Sequence, residues 1–154
     1  MLKIIVSFVL VFSFFSCTKP SSLQYASVND TGSKIIAYVS NSGKKAMWFQ
    51  VFDQIEDPQI TASYKTTAAS HKVDGHLAKK HKNQSLWVLV ANRFEVRLLA
   101  DPKNSLYQNA EKLEQFMLKF DLAGLAKVKQ DTKLTSKQLR AYIPKLPMAE
   151  KPKK

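Results

Sequence analysis

The chain has 154 residues, with 24 Lys and Arg against 12 Asp and Glu, so its formal charge is +12. This length fits one domain. A hydrophobic content of 45% with 23% charged residues is that of a globular protein rather than a disordered one. The single cysteine, Cys17, excludes an internal disulfide framework and a cysteine-based zinc site. The four glycines stand singly, which excludes a glycine-rich phosphate-binding loop.

The first sixteen residues have the pattern of a secretory signal peptide. Lys3 gives a short positive start, and the run from Ile4 to Phe15 is uncharged and almost wholly apolar. This run is too short for a helix that spans a bilayer, which needs about 20 residues. It has the right length for the apolar region of a signal peptide. We therefore predict that residues 1–16 form a signal peptide.

The junction Phe14-Phe15-Ser16-Cys17 resembles the lipobox of bacterial lipoproteins, with a small residue directly before the cysteine. The resemblance implies diacylglyceryl transfer to the sulfur of Cys17, cleavage before that residue and acylation of the new amino terminus. Phe14 departs from the family, which more often has Leu there. Two or more acyl chains would anchor the chain stably to a membrane. Thr18 rather than Asp follows the cysteine, so the resemblance implies the periplasmic face of the outer membrane. An ordinary secreted protein with a free cysteine is the alternative.

The first half of the remaining chain predicts a tether followed by strands. Residues 17–33 are polar and contain a turn signal at 29–32, which predicts a tether that carries the lipidated Cys17. Residues 34–40 and 45–52 are rich in β-branched and aromatic residues on either side of a turn, which predicts an antiparallel hairpin. Residues 59–66 alternate apolar and polar side chains, which predicts a half-buried strand.

Residues 84–99 predict either one long strand or two strands that are divided at Asn92-Arg93. Their even-numbered positions are mostly apolar. Their odd-numbered positions begin apolar and become charged at Arg93, Glu95 and Arg97, which predicts a second half that is solvated on one face.

A helix is predicted over residues 105–120. Ser105 with Gln108 matches a capping box, and an apolar stripe follows at helical spacing. This stripe consists of Leu106, Ala110, Leu113, Met117 and Phe120. Asp121 can cap a short helix over 122–128, and Thr135 or Ser136 can start another that ends before Pro144. Residues 144–154 are predicted to be a basic, disordered tail.

These elements predict an α+β domain over residues 34–143. It would be an antiparallel sheet of three to four strands packed by one amphipathic C-terminal helix, with the short helices added. If the helix over 105–120 covers Met47, Phe49 and Val51, then Trp48 and Phe52 face the other side of the sheet. We expect residues 122–143 to cover these two rings rather than leave an exposed aromatic patch.

The three histidines lie within one basic segment, between Ser70 and Lys82, at spacings of five. That spacing puts them on no common face of a helix or a strand, so only an irregular loop, with Asp74, could bring them to one metal ion. We predict no metal site and expect a solvated loop, whose dense positive charge would also attract an anion. The candidate residues for binding an anion or another partner are His71, Lys72, His76, Lys79, Lys80, His81 and Lys82.

The sequence contains no motif of nucleophilic catalysis and predicts no cofactor. Asp53, Glu56 and Asp57 lack the spacing of a calcium-binding loop and fit a solvated turn. The positive charge alone would suit nucleic acid, but the predicted export and the lack of an aromatic and basic signature argue against that partner.

The sequence therefore predicts a lipid-anchored, non-enzymatic binding or adaptor protein of the cell envelope. Its partner would be an anionic envelope polymer, lipid head groups or another envelope protein in the periplasm. Two alternatives remain open. A small periplasmic hydrolase would need His76 or His81 beside a buried carboxylate in a pocket. A carrier of a lipid or another hydrophobic ligand would need a cavity lined by Phe94, Phe116 and Phe120.

Overall fold

A computed structural model of the chain describes residues 23–57, 59–66, 71–82 and 84–150. Its main element is one antiparallel sheet of seven strands, in the order β1-β2-β3-β7-β6-β5-β4. The strands are β1 (Leu23–Thr31), β2 (Lys34–Asn41), β3 (Lys44–Asp53), β4 (Lys72–Val73), β5 (His76–His81), β6 (Ser85–Val90) and β7 (Phe94–Ala100).

The helices are short and interrupt or follow the strands. They are α1 (Gln59–Thr66), α2 (Ala110–Met117), α3 (Leu122–Ala126) and α4 (Ser136–Leu139), with 3-10 turns at Ser105–Tyr107 and Arg140–Tyr142. In the part of the chain that the structure describes, no helix has the length and apolar character needed to cross a membrane.

One face of the sheet, here called the packed face, carries the main core. Side chains on alternate positions of β2, β3, β6 and β7 are buried there against the helices that follow the sheet. Leu113 and Phe116 of α2 and Leu122 of α3 pack into the same cluster. Each fully buried Leu or Phe side chain contributes about 1.5–3 kcal/mol to stability. The opposite side of the sheet, the open face, is covered only in part, by α1, whose Ile60 and Tyr64 pack on Leu89.

The predicted fold of three to four strands under a long C-terminal helix is wrong, because the sheet has seven strands and only short helices. The predicted helix over 105–120 is a 3-10 turn followed by the eight residues of α2. Asn109, rather than Ser105, accepts the capping hydrogen bond from the backbone of Glu111. The apolar residues that recur at helical spacing across 105–120 therefore belong to two separate elements, the 3-10 turn and α2, and to Phe120 beyond them.

The predicted strand over residues 59–66 is also wrong, since these residues form α1. Ile60 and Tyr64 are buried and lie four positions apart, which places both on one side of a helix. An alternation of apolar and polar residues over eight positions also fits a helix when the buried residues are at positions i and i+4. Because the segment has only eight residues, its sequence pattern fits the repeat of a strand as well as that of a helix.

The segment that was predicted to be a basic loop forms β4 and β5 in its described part. Asp74 and Gly75 turn the chain between these strands, both with positive φ. The long strand that was predicted over 84–99 is two strands, β6 and β7, joined by a turn in which Ala91 and Asn92 have positive φ. The alternative division at Asn92-Arg93 is thus confirmed. Residues 67–70 and 83 lie outside the described residues.

The structure also differs from the predicted tether and tail. Residues 23–31 form β1, which pairs with β2, so the tether cannot include them. In the C-terminal segment, Pro144 is buried and its carbonyl accepts a hydrogen bond of 2.5 Å from the Tyr25 hydroxyl. Residues 147–149 exchange backbone hydrogen bonds with Tyr25 along the edge of β1. The predicted signal peptide, Cys17 and residues 151–154 lie outside the described residues.

Several local predictions are confirmed. The hairpin predicted over 34–40 and 45–52 is β2 and β3. Asp121 caps α3 by accepting a hydrogen bond from the backbone of Gly124. Thr135 caps α4, and Gln138 completes the capping box with its side chain. The expectation that residues 122–143 cover Trp48 and Phe52 is wrong, because Leu122, Leu125 and Leu139 pack into the cluster of the packed face.

A buried ion pair closes one end of the sheet. The side chain of Arg93 is 2% exposed, and its guanidinium donates two hydrogen bonds, of 2.6 and 2.7 Å, to the buried carboxylate of Asp53. The guanidinium also donates to the carbonyls of Lys129 and Thr132. Asp53 in turn accepts from the backbone of Leu134 at 2.7 Å. The pair therefore joins β3, the turn between β6 and β7, and the segment before α4.

We expect Asp53→Asn to lower the free energy of unfolding by about 3–5 kcal/mol, because it leaves the guanidinium of Arg93 buried without a counter-charge. The matched control is Glu56→Gln, which breaks an exposed ion pair with Lys133 and should cost at most about 1 kcal/mol. Urea denaturation of both variants measures the two values. Equal stabilities of the two variants would contradict this role of the buried pair.

Candidate functional site: the open face of the sheet

Strand register brings residues that are distant in sequence into rows on the open face. The central row runs across six strands as Asn29, Ile36, Gln50, Arg97, Trp87 and Lys79. A neighbouring row, closer to the turn between β2 and β3, contains Tyr38, Trp48, Leu99, Ser85 and His81. The row on the other side contains Lys34, Phe52, Glu95, Leu89 and Leu77. A ring therefore lies between two cations in the central row, where Trp87 stands between Arg97 and Lys79.

Glu95 is the buried charge beneath this surface. It is 1% exposed, and its two carboxylate oxygens have different partners. Oε1 accepts a hydrogen bond of 2.8 Å from the hydroxyl of Tyr64 in α1. Oε2 accepts from Nε of Arg97 at 2.6 Å and lies 2.5 Å from another guanidinium nitrogen of the same residue. Because an unpaired buried carboxylate is costly, the burial of Glu95 depends on Arg97 and Tyr64 remaining in place.

The guanidinium of Arg97 lies against two aromatic rings. Its central carbon is 4.1 Å from the ring centre of Trp87 and 4.9 Å from that of Phe52. These distances are within the range of a cation–π interaction. The side chain of Arg97 is 28% exposed, so a ligand can still reach it. Arg97 is therefore a cation held in a fixed position at the centre of the open face.

Lys79 adds a second cation beside Arg97. Its Nζ atom lies 4.1 Å from the ring centre of Tyr64 and 3.1 Å from Oγ of Ser63. Burial lowers the pKa of Lys79, the negative charge of Glu95 raises it, and the positive charge of Arg97 lowers it. The attraction of Glu95 is the larger of the two effects of charge, so the buried carboxylate already offsets the repulsion between Lys79 and Arg97.

The aromatic rings give the open face an apolar component. Tyr38 is 40% exposed and its ring centre lies 6.4 Å from that of the partly buried Trp48. The ring of His81 lies 4.4 Å from that of Trp87. The Nε1 atom of Trp87 is buried and has no hydrogen-bond partner within the described residues. The position of this indole is thus set by packing against Arg97 and His81.

Positive side chains outnumber negative ones among the described residues of the open face. Among the described strand residues whose register places them on this face, Lys34, Lys72, Lys79 and Arg97 carry positive charge. The carboxylate within the same set is Glu95, which is already neutralised by Arg97. Guanidinium and ammonium groups bind carboxylates and phosphates strongly. Combined with exposed rings, they suit an anionic ligand that also presents apolar surface.

The structure separates the seven residues that the sequence suggested as a binding cluster. Lys72, Lys79 and His81 lie on the open face by their register, whereas the turn residue Lys82 is exposed after β5. Two others point to the packed side: His71 and Lys80 lie 3.0 and 2.5 Å from the carboxylate of Glu114 in α2. His76, next to Leu77 in β5, also lies on that side by its register. A strand alternates its side chains, so the segment cannot act as one charged surface.

The described residues offer little support for the two alternative functions, a small hydrolase and a carrier of a hydrophobic ligand. No group of three or more His, Cys, Asp or Glu that could hold a metal ion is found among them. A small cleft at the sheet end is lined by Lys80, His81, Gln84, Ser85, Leu86, Gln108, Ala110 and Leu113, and this lining includes no carboxylate. The rings of Phe116 and Phe120 are buried and contact each other and Phe49, which favours a packed core over a ligand cavity.

Sequence reasoning missed the residues at the centre of this site. The alternation in 84–99 placed Glu95 and Arg97 on the same side of a strand, but not beside Lys79 or under α1. The signal that could have found the site is the set of odd-numbered positions in β6 and β7, which hold Trp87, Glu95 and Arg97. Only the hairpin turn after β6 brings Trp87 opposite Arg97.

Comparison with known proteins gives no match for this chain. No family model, curated protein or solved structure matches it.

The hydroxyl of Tyr64 gives a prediction for high pH. Burial, followed by the charge of Glu95 and the hydrogen bond to it, raises the pKa of Tyr64 far above its ordinary value of 10, although Arg97 lowers it. Above pH 10 the unfolded chain loses this proton while the folded chain keeps it, so the free energy of unfolding falls as pH rises. Between about pH 9 and pH 11 this fall amounts to about 1.4 kcal/mol in total, because the unfolded tyrosine is only partly ionised over most of this range, and Tyr64→Phe should remove it.

Urea denaturation at several values between about pH 9 and pH 11 measures the slope. The control is Tyr38→Phe, which removes an exposed hydroxyl and leaves the hydrogen bond between Tyr64 and Glu95 in place. An equal slope in the wild type and in Tyr64→Phe would show that the hydroxyl is not held by the buried carboxylate.

Proposed function

We propose that the chain is a lipid-anchored, non-enzymatic binding protein of the bacterial cell envelope, and that its open face binds an acidic polysaccharide in the periplasm. The observation that carries the binding function is Arg97, held by Glu95 and stacked on Trp87 at the centre of a basic and aromatic surface. The lipobox-like junction at Cys17 supports the anchor, with the periplasmic face of the outer membrane as its location.

An acidic polysaccharide fits both chemical components of the open face. Its carboxylates or phosphates would pair with Arg97 and Lys79, which are neighbours of Trp87 on β7 and β5. The apolar sides of its sugar rings would contact the exposed ring of Tyr38 and the partly buried ring of Trp48 beside it. The central row of side chains crosses six strands, so the face suits an extended polymer that lies across several strands. A lipid head group would offer the same negative charge, but fewer sugar rings for the aromatic side chains to contact.

The single cysteine allows a direct test of the anchor. In a bacterial host, the wild-type chain should incorporate radiolabelled palmitate, and the variant Cys17→Ala should not, because the thiol that accepts the diacylglyceryl group is absent. A serine variant elsewhere, such as Ser42→Ala, serves as the matched control and should retain the label. Equal labelling of the wild type and Cys17→Ala would refute the anchor.

Binding to the open face can be measured with alginate, a soluble polymer of acidic sugars, and with neutral dextran as the negative control. The wild-type protein should bind alginate and not dextran. Lys79→Gln and Arg97→Gln should each weaken alginate binding by about tenfold, since a hydrogen bond to a charged group contributes about 1.5–3 kcal/mol. Affinity should also fall as salt is added, because exposed charges are screened.

The matched control is Arg140→Gln, which removes an arginine that pairs with Asp30 away from the open face, and it should bind as the wild type does. Lys79→Gln is the more secure of the two open-face variants, because Lys79 is not a partner of Glu95 in the buried pair. Equal binding by all three variants would contradict the proposal. Tighter binding of a single-stranded oligonucleotide than of alginate would replace the polysaccharide with a nucleic acid, whose bases and phosphates suit the same side chains.

A further inference from the structure

Four lysines lie at the end of the sheet from which the chain leads back toward Cys17. β1 begins at Leu23, opposite Asn41 at the end of β2. The turn after β2, the turn after β5 and the segment after β7 are all at this end, because β3 begins and β7 ends there. The lysines in these segments are Lys44, Lys45, Lys82 and Lys103, and all four are exposed.

Hydrogen bonds hold the segment after β7 beside the turn between β2 and β3. The backbone of Asp101 donates to the carbonyl of Ala46 at 2.9 Å. The side-chain amide of Asn104 donates to the carbonyl of Lys45 at 2.7 Å. A cleft forms between the two segments, lined by Lys44, Lys45, Asp101, Lys103, Asn104 and Ser105. Three ammonium groups therefore surround one cleft together with a single carboxylate, that of Asp101.

The opposite end of the sheet carries charges of both signs. The exposed carboxylates of the segment after β3 and of the turn between β4 and β5 lie there, namely Glu56, Asp57 and Asp74. The exposed Lys129 and Lys133 lie there too, and Lys133 pairs with Glu56. Arg93 at this end is buried and already neutralised by Asp53. A strand of ten residues such as β3 is about 33 Å long. That distance exceeds the Debye length of about 8–10 Å, so a charged surface would interact with one end at a time.

We infer that the lysine-bearing end of the sheet rests on an anionic lipid surface and orients the protein on the membrane. The inference depends on the proposed anchor at Cys17, which precedes Leu23 by six residues. Six residues reach at most about 22 Å, so an anchored chain keeps this end near the head groups. The length of this connection alone would also allow the sheet to lie flat. The four exposed lysines of this end offer more accessible positive charge than the mixed opposite end, and more than the centre of the open face, where Arg97 is 28% exposed and paired with Glu95. This difference favours an orientation in which the lysine-bearing end contacts the bilayer and the open face does not.

Fluorescent probes at the two ends test this orientation on vesicles that contain a head-group quencher. One probe is attached at Pro102→Cys, in the lysine-bearing end, and the other at Glu56→Cys, in the opposite end. On vesicles of phosphatidylcholine with phosphatidylglycerol at low salt, the probe at residue 102 should be quenched several-fold more than the probe at residue 56. The difference should vanish on pure phosphatidylcholine, and it should shrink at about 0.5 M salt, where the Debye length is only a few Å.

Charge-removal variants show which lysines are responsible. Lys44→Ser with Lys45→Ser and Lys103→Ser should abolish the difference in quenching. The matched control removes three exposed lysines elsewhere, by Lys127→Ser, Lys129→Ser and Lys137→Ser, and should preserve it. Equal quenching of both probes in the wild type, stronger quenching at residue 56, or an unchanged difference in the first triple variant would overturn the inference.

The same samples test the orientation of the protein independently of the proposed anchor at Cys17. Mass spectrometry reports whether Cys17 carries acyl groups, and this result does not depend on which probe is quenched. If Cys17 is not acylated, the variant Cys17→Ala, which carries the probe only at residue 102 or 56, is added to the same vesicles, and preferential quenching at residue 102 still supports the lysine-bearing end as the membrane contact. Failure of that unacylated protein to bind the phosphatidylglycerol vesicles would overturn the inference.

Discussion

The buried carboxylate of Glu95 is the interaction on which the open face depends. It lies within β7 at 1% exposure, where an ionised group is tolerated only with close partners. Tyr64 brings α1 onto the sheet through its hydrogen bond to this carboxylate, and Arg97 neutralises the charge. The same two contacts fix the guanidinium over Trp87. A single buried charge thus links the stability of the sheet to the position of the central cation of the candidate site.

The two faces and the two ends of the sheet have different roles. The packed face buries the apolar side chains against α2 and α3 and supplies the core. The open face keeps cations and rings accessible, and α1 covers only the part around Leu89. The buried pair of Arg93 and Asp53 fastens the far end of the sheet to the segment before α4. The lysine-bearing end lies beside the start of β1, so a tethered sheet standing on that end would present the open face sideways to the periplasm.

The parts of the fold that follow from local chemistry could be predicted from the sequence, and the parts that need distant partners could not. The hairpin of β2 and β3 and the caps at Asp121 and Thr135 depend on adjacent residues. The strands β1, β4 and β5 are polar or short, and they become strands because neighbours supply their hydrogen bonds. The candidate site could not be predicted for the same reason, because Lys79 and Arg97 lie beside Trp87 only through the register of β5, β6 and β7.

The most direct test of the account is a nuclear magnetic resonance titration of the protein with alginate, read at the side-chain N–H groups. The chain has two tryptophans, and both lie on the open face, so their indole signals report on that surface alone. If alginate binds the open face, these two signals and the Nε–H signal of Arg97 shift together as alginate is added, whereas the Nε–H signal of Arg140 does not. Shifts confined to Arg140 and the α2–α4 side, with both indole signals unchanged, would contradict binding at the open face.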